Sequence, residues 1–270
     1  MDYLARESAD LPEALWQQID RTVIDAIKEQ IVCRRFLKLF GPIGPGPTSV
    51  VVDGVAKEEV LENGLGRIVG RTQLELPMIF EDFTILGRDL EYAKQTGYPL
   101  DLSSAARAAK QAARREDELI LLGNSTLGTQ GLVNAKGAAK IKKTDWKQGE
   151  NGYADVAKAV AELAKNGYLG RYALVVSPDV YLDLQRLQPS LGMLEIDRVK
   201  KLIGDNVYMY GSFGTGKAVL VCAEPEYIDL AVGLDFSVGY VELADFNHHF
   251  RVMETAALRI KDPRAIVVFS

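Results

Sequence analysis

The chain has 270 residues, 47% hydrophobic and 26% charged, with a formal net charge of −5. This is the composition of an ordinary soluble globular protein, long enough for two subdomains and a sizeable core. The acidic balance argues against nucleic acid as the main partner. Two cysteines are too few for a disulfide framework, and no apolar run approaches the ~18 residues of a membrane span.

Cys33 and Cys222 both sit among apolar residues and read as buried, inert thiols in a reducing compartment. The opening MDYLARESADLPEALW lacks the apolar stretch of a signal peptide, so a cytoplasmic location is expected. From Asp10, a good N-cap, and Pro12, tolerated in a first turn, the pattern predicts one long helix to about Leu39, ended by Gly41-Pro42. At about 100° per residue, Trp16, Ile19, Val23, Ala26, Cys33 and Leu37 form one apolar stripe. Ile24, Ile27 and Ile31 form a second beside it, extended by Arg34 and Lys38. Together they cover roughly half the circumference, wider than a surface helix normally buries. The second stripe either fills core or wants another partner.

GPIGPGP (41–47) is a stiff, irregular connector. TSVVVDGVAKEEVLENGLGRIVGRTQLELPMIF (48–80) alternates short β-prone pieces with glycines and has too little contiguous apolar material for a core. A two-stranded excursion of this kind is marginal alone and leaves open edges, so a neighbouring subunit is expected to cover it. DLSSAARAAKQAARREDELILLG (101–123) is a capped, alanine-rich helix closed by Gly123, suited to a central spine. A second amphipathic helix covers 154–167. There follow strand YALVVS, helices PDVYLDLQRL and LEIDRVKKLIG, strand VYMY, and a strand-rich tail to AIVVFS. The order predicts an α+β fold with two subdomains.

Candidate chemistry is sparse. Gly211, Gly216 and Lys217 in YGSFGTGKAV have the spacing of a phosphate loop, but Ala218 replaces the Mg²⁺-binding hydroxyl and the following residues read as strand, so a turn between strands is expected. His248 and His249 are adjacent and cannot both face one site from a strand. No metal-ligand spacing appears. Glu116-Asp117-Glu118 reads as salt-bridging helix surface rather than paired catalytic carboxylates. The chain offers no catalytic set, and neither a metal nor a cofactor is expected.

An ordered series of short matches resembles the encapsulin nanocompartment shell proteins, the group once filed with linocin-type bacteriocins. It runs through Trp16-QQID, Arg34-Arg35-Phe36, Gly41-Pro42, Pro99-LDLSS, Glu116-DELI with Gly123, Gly131-Leu132 and Gly170-RYALVVSP. Asp229-LAV, Phe250-RVMET and Leu258-RIK complete it, so that nearly the whole chain is covered. The resemblance implies the Hong Kong 97 phage major-capsid-like fold and self-assembly into an icosahedral shell. Such shells enclose cargo enzymes, among them ferritin-like iron oxidases and haem peroxidases, through a C-terminal targeting peptide. Iron storage or oxidative-stress defence is the corresponding expectation.

By the same resemblance, 1–47 is the N-terminal helix and connector on the inner surface, and 48–80 the extended loop. Residues 81–131 and 224–270 form the peripheral domain, with its spine helix at 101–123, and 132–223 the axial domain. The cargo groove falls on Ile24, Ile27 and Ile31 as wall, Arg34 and Lys38 as charged edge, and Asp235, Ser237 and Tyr240 opposite. Lys38 stands where some relatives have an acidic residue. The pore loop falls on Leu187, Gln188, Pro189, Ser190, Leu191 and Gly192, which carry no charge, so width and backbone dipoles would set selectivity. Some relatives stack a flavin on a tryptophan where this chain has Gly87, so the flavin is not carried over. Two rivals remain. A tailed-phage major capsid protein would want a basic interior, whereas the first helix mixes Asp20, Asp25 and Glu29 with Arg34 and Lys38 and follows too short a segment for scaffolding. A nucleotide hydrolase would depend on Lys217.

Overall fold

The computed structural model describes residues 3–52, 57–61, 64–188 and 192–270. In chain order, α1 spans Glu13–Gln30, β1 Leu39–Phe40, β2 Ser49–Val52, β3 Lys57–Val60, β4 Gly66–Val69, β5 Thr72–Glu75 and β6 Met78–Leu86. Then come α2 Gly87–Thr96, α3 Ser103–Leu122, β7 Gly123–Asn124, β8 Thr129–Gln130, β9 Ala139–Ile141, α4 Asn151–Lys165, β10 Tyr172–Val176 and α5 Pro178–Leu184. The remainder is β11 Leu187–Gln188, β12 Met193–Leu194, α6 Glu195–Ile203, β13 Val207–Met209, β14 Ala218–Cys222, β15 Ile228–Val232, β16 Ser237–Ala244, β17 Asn247–Ile260 and β18 Ile266–Phe269.

Two five-stranded sheets organise these elements. In the first, the long β17 pairs with β6 over 247–255, with β16 over 237–244 and with β15 over 228–232, and β1 lies parallel beside β15. The second has the order β13-β10-β14-β18-β9. Every residue of β14 is buried, as expected of a central strand covered on both faces. Helices α1 and α3 pack on the first sheet through Trp16, Ile19, Val23, the α3 alanines, Phe83, Val238, Phe250 and Val252. Ala105, Ala108, Ala109, Ala112 and Ala113 are almost wholly buried, so that α3 admits α1 closely.

The α3 helix begins close to where its sequence predicts, but Leu102 rather than Asp101 or Ser103 holds the N-cap position, and the Asp101 carboxylate accepts from the Ser103 N–H at 2.8 Å. Gly123 ends it at φ 70°, where an added Cβ would lie 2.5 Å from the Thr129 carbonyl oxygen. The first helix differs from expectation: it stops at Gln30, and Ile31 is extended. The cause lies outside the helix, because the Asp117 carboxylate accepts from the Val32 and Cys33 N–H groups at 2.9 and 2.7 Å. Those two donors start a short 3₁₀ turn, Cys33–Arg35, in place of another α turn. Pro12 rather than Asp10 occupies the N-cap position.

The excursion at 48–80 forms two separate ladders, β2 with β5 and β3 with β4. Its root is anchored: Val50, Leu74 and Leu76 pack on Ala231 and Ala257, and the Arg259 guanidinium donates to the Val51 carbonyl at 3.1 Å while gripping Asp229. The outer ladder is not. All of β3 is exposed, with Val60, Leu65 and Ile68 at 83, 63 and 51%.

One boundary and one connection differ from the sequence reading. Residues 266–269, placed with the peripheral domain by the sequence reading, pair with β14 in the second sheet, because Ile266 and Val267 extend its apolar core. The expected turn between strands joins two strands that do not pair: β13 and β14 flank β10 on opposite sides, parallel and antiparallel to it. The glycine-rich link between them closes on α5, with Gly216 and Lys217 N–H groups donating to Asp179 and Ser177. A strand rather than a helix follows Lys217, and the first turn of α5 meets this turn with the Ser177 hydroxyl and the Asp179 carboxylate as acceptors.

Candidate peptide groove between the first helix and the sheet edge

The Trp16, Ile19, Val23 and Ala26 stripe of α1 faces the core as its periodicity predicts. The second stripe divides. Ile27 and Ile31 are 6% exposed and belong to the same apolar cluster, so for these two the core-filling alternative holds. Ile24, one turn earlier and further round, is 43% exposed. Opposite α1, Phe236 and Tyr240 are half-buried against that cluster. Tyr240 is fixed by edge contact with Phe250 at 5.6 Å and by its hydroxyl, 3.3 Å from the His248 Nδ1. Ser237 turns its hydroxyl onto the Asp235 carbonyl at 2.7 Å.

Arg34 is not a free charged edge. Its guanidinium donates to Glu116, Asp235 and Glu254 at 2.7, 2.7 and 2.6 Å, and its face lies over the Phe236 ring. Glu116 and Glu254 are fully buried, whereas half of the Asp235 side chain reaches solvent. The cluster ties the 3₁₀ turn, α3, the 235 loop and β17 together. One guanidinium faces three carboxylates, and the Glu116 and Glu254 Oε1 atoms lack partners. Burial pushes both glutamates above the ordinary carboxylate range, and the neighbouring Glu116 charge raises Glu254 further. Asp117 is likewise raised to about 6 by burial, against the pull of its two backbone donors. Asp235 therefore keeps solvent-facing charge beside Arg34, whereas Lys38 is exposed next to β1, at the opposite edge of the sheet from β16, where its carbonyl accepts from the Leu230 N–H.

The sequence reading missed Glu116, Asp117 and Glu254 as partners of this site. Glu254 had a legible signal: Phe250, Val252, Glu254 and Ala256 share one strand face, and a carboxylate among buried neighbours demands a cation. Glu116 and Asp117 continue the inward face of the alanine helix, which the surface salt-bridge reading overlooked.

The outer edge of β16 is already in use. The Tyr240 N–H donates to the Leu4 carbonyl at 2.8 Å, and Arg6 Nε donates to the Val238 carbonyl at 2.9 Å. Arg6 also clasps Asp20 of α1 through both carboxylate oxygens at 2.7 Å and lies over the Trp16 ring. At the other end of α1 an open groove of about 970 Å³ runs between Leu11, Leu15, Leu90, Tyr98 and Leu100, reaching His248.

Of the pore-loop residues, Leu187 is 60% exposed and Gln188 is buried, its amide donating to Gly149 and Glu195. Gln188 is thus an anchor for the loop base rather than a lining residue. Gly192 returns the chain with its N–H on the Gln188 carbonyl, and Pro189, Ser190 and Leu191 lie outside the described residues. Gly87 has a structural cause, since a Cβ there would lie 2.1 Å from the Phe246 carbonyl oxygen. A stacking tryptophan does not fit that backbone. Among the described residues no helix is long and apolar enough to cross a membrane.

Comparison with known proteins places this geometry. Residues 1–257 match the Linocin_M18 family, described as encapsulating protein for peroxidase. A type 1 encapsulin shell protein of Myxococcus xanthus is 36% identical over 98% of this chain and 95% of its own length. A diheme-cytochrome–encapsulin shell fusion protein of Kuenenia stuttgartiensis is 37% identical over 93% of this chain and 71% of its own. The crystal structure of a virus-like particle from Pyrococcus furiosus superimposes with a TM-score of 0.77 at 21% identity, covering 95% of this chain and 99% of that one. The capsid of Myoviridae phage XM1 follows at 0.64 and 18% identity, covering 88% and 91%. The fold is that of the Hong Kong 97 capsid proteins, and the chain belongs to the encapsulin family of shell proteins.

Proposed function

We propose that copies of this chain close into an icosahedral compartment around a guest enzyme, whose C-terminal peptide lies along the inner surface between α1 and β16. The protein is a structural shell component rather than an enzyme, as its family is. The observation that carries assembly is the outer β3–β4 ladder, whose apolar side chains and open edges have no cover among the described residues. The observation that favours a guest is Ile24, an aliphatic side chain left exposed on α1 opposite the Phe236–Tyr240 edge. Fusion relatives carry a diheme cytochrome or a ferritin-like unit, which supports a redox guest and, with it, iron storage or oxidative-stress defence. The DNA-holding alternative is disfavoured by charge, because the outer face of α1 alternates Arg21 and Lys28 with Asp25 and Glu29.

The groove is tested at Ile24 rather than at the buried Ile27 or Ile31, where a charge would break the core. Ile24→Asp shells are expected to assemble normally and to lose the enzyme that copurifies with parent shells. Guest retention equal to the parent, measured by quantitative mass spectrometry of purified particles, refutes the groove.

A further inference from the structure

We propose that residues 3–9 are a removable cover on the outer edge of β16, and that the guest peptide takes that edge only after they leave. This rests on the guest-binding reading above and adds an intramolecular competitor to it. Strand β16 has β17 as its one registered neighbour, so its other side is the kind of edge to which an extended peptide adds by main-chain hydrogen bonds. Here the chain's own N-terminal segment does so, through Leu4 to the Tyr240 N–H and through Arg6 to the Val238 carbonyl. Gly239 lies between the two, in ordinary contact range of the Leu4 carbonyl oxygen, and is kept small by the Met253 side chain, which an added Cβ would meet at 2.7 Å. A guest peptide seated between α1 and β16 and the segment that bridges Asp20 to Val238 therefore require the same main-chain groups.

The attachment is mostly polar and only half-buried at Leu4, Ala5 and Arg6, which is what a displaceable cover needs. Ala9 is buried, but Tyr3, Glu7 and Ser8 are exposed, and the Arg6–Asp20 pair keeps about a third of its surface in water (27% and 33%). Partly solvated ion pairs and sparse apolar burial place a segment toward the low end of local opening free energies. Ala5 sits at φ 52°, in the left-handed region that a residue with a Cβ disfavours, so release relieves backbone strain as well.

The test uses whole shells and a labelled synthetic peptide of the last residues of the copurifying guest, identified by mass spectrometry. Binding is measured by fluorescence anisotropy to parent shells, to shells lacking residues 2–8, and to full-length Arg6→Ala shells, which serve if the truncated chain does not assemble. The truncated shell is expected to bind about tenfold tighter than the parent, the factor for an edge covered roughly nine-tenths of the time. Arg6→Ala should fall between them. An unlabelled peptide of residues 2–10 should displace the guest peptide from truncated shells, and failure to do so counts against a shared edge. Equal affinity for all three shells refutes the cover while leaving the groove intact. Weaker binding to the truncated shell refutes it too, since residues 3–9 would then be part of the groove. No binding to any shell refutes the groove reading itself and the cover with it.

Discussion

Strand β14 and the β3–β4 ladder are both built from short β-prone runs, yet they end at opposite extremes. AVLVC of β14 is buried at every position, between β10 and β18. The KEEV and GRIV strands of the ladder pair only with each other among the described residues, and almost every residue is exposed. The difference teaches where stability resides. The second sheet is complete within one chain, whereas among the described residues each ladder strand has hydrogen bonds along one edge and no layer beneath it. In a two-stranded ribbon that is insufficient, and the missing layer has to come from another copy.

The sharpest way to break this contrast is to remove the ladder. Deletion of residues 55–68 is expected to abolish native particles in size-exclusion chromatography while the remaining subunit keeps its near-ultraviolet circular dichroism, since β14 and its neighbours do not touch the ladder. Native-sized particles from that variant contradict the contrast.

Within the self-sufficient part, the next largest effect is predicted at Arg34. Arg34→Met leaves Glu116 and Glu254 buried without their cation, a loss of about 3–5 kcal/mol. Denaturant unfolding of the ladder-deleted subunit reads this without any contribution from assembly, and a change below about 1 kcal/mol would show that the cluster carries little of the fold. Smaller is the pH response of the same cluster. Glu116, Glu254 and Asp117 have folded values raised above their unfolded ones, Asp117 to about 6. The folded subunit then holds protons that the unfolded chain releases, so stability is greatest near the ordinary carboxylate range and is lost as pH rises through the raised values. Asp262, lowered to about 2, acts oppositely but only below about pH 4. The melting temperature of the subunit should therefore fall as pH rises from about 4 to 6, the span of the Asp117 shift, and Glu254→Gln should flatten the slope; a rise with pH over that span contradicts the raised carboxylates. The smallest effect belongs to Lys217→Ala, expected to leave stability within about 0.5 kcal/mol and assembly unchanged, because the turn is held by main-chain bonds to Ser177 and Asp179. Loss of a nucleotide-hydrolysing activity on that substitution would revive the phosphate-loop reading.

The pattern of residues carried most of the elements. The alanine face of α3, its start beside Asp101 and its Gly123 end were all readable, because each is a local device acting within a few residues. The uncovered loop was readable as well, since absence of a core is a property of composition. What escaped was decided by contacts between residues far apart in sequence. The early end of α1 depends on Asp117, some eighty positions away. The same holds for the capture of Arg34 by Glu116 and Glu254, and for the placement of Ile266–Phe269 in the second sheet. Helical periodicity put Ile24, Ile27 and Ile31 on one stripe, but only packing against Phe236 and the sheet separated the exposed one from the buried two.

Electron microscopy of the purified chain, without any guest, tests the central claim most directly. Hollow closed particles of uniform diameter are the result the uncovered β3–β4 ladder predicts. A stable, monodisperse single subunit at micromolar concentration would contradict it.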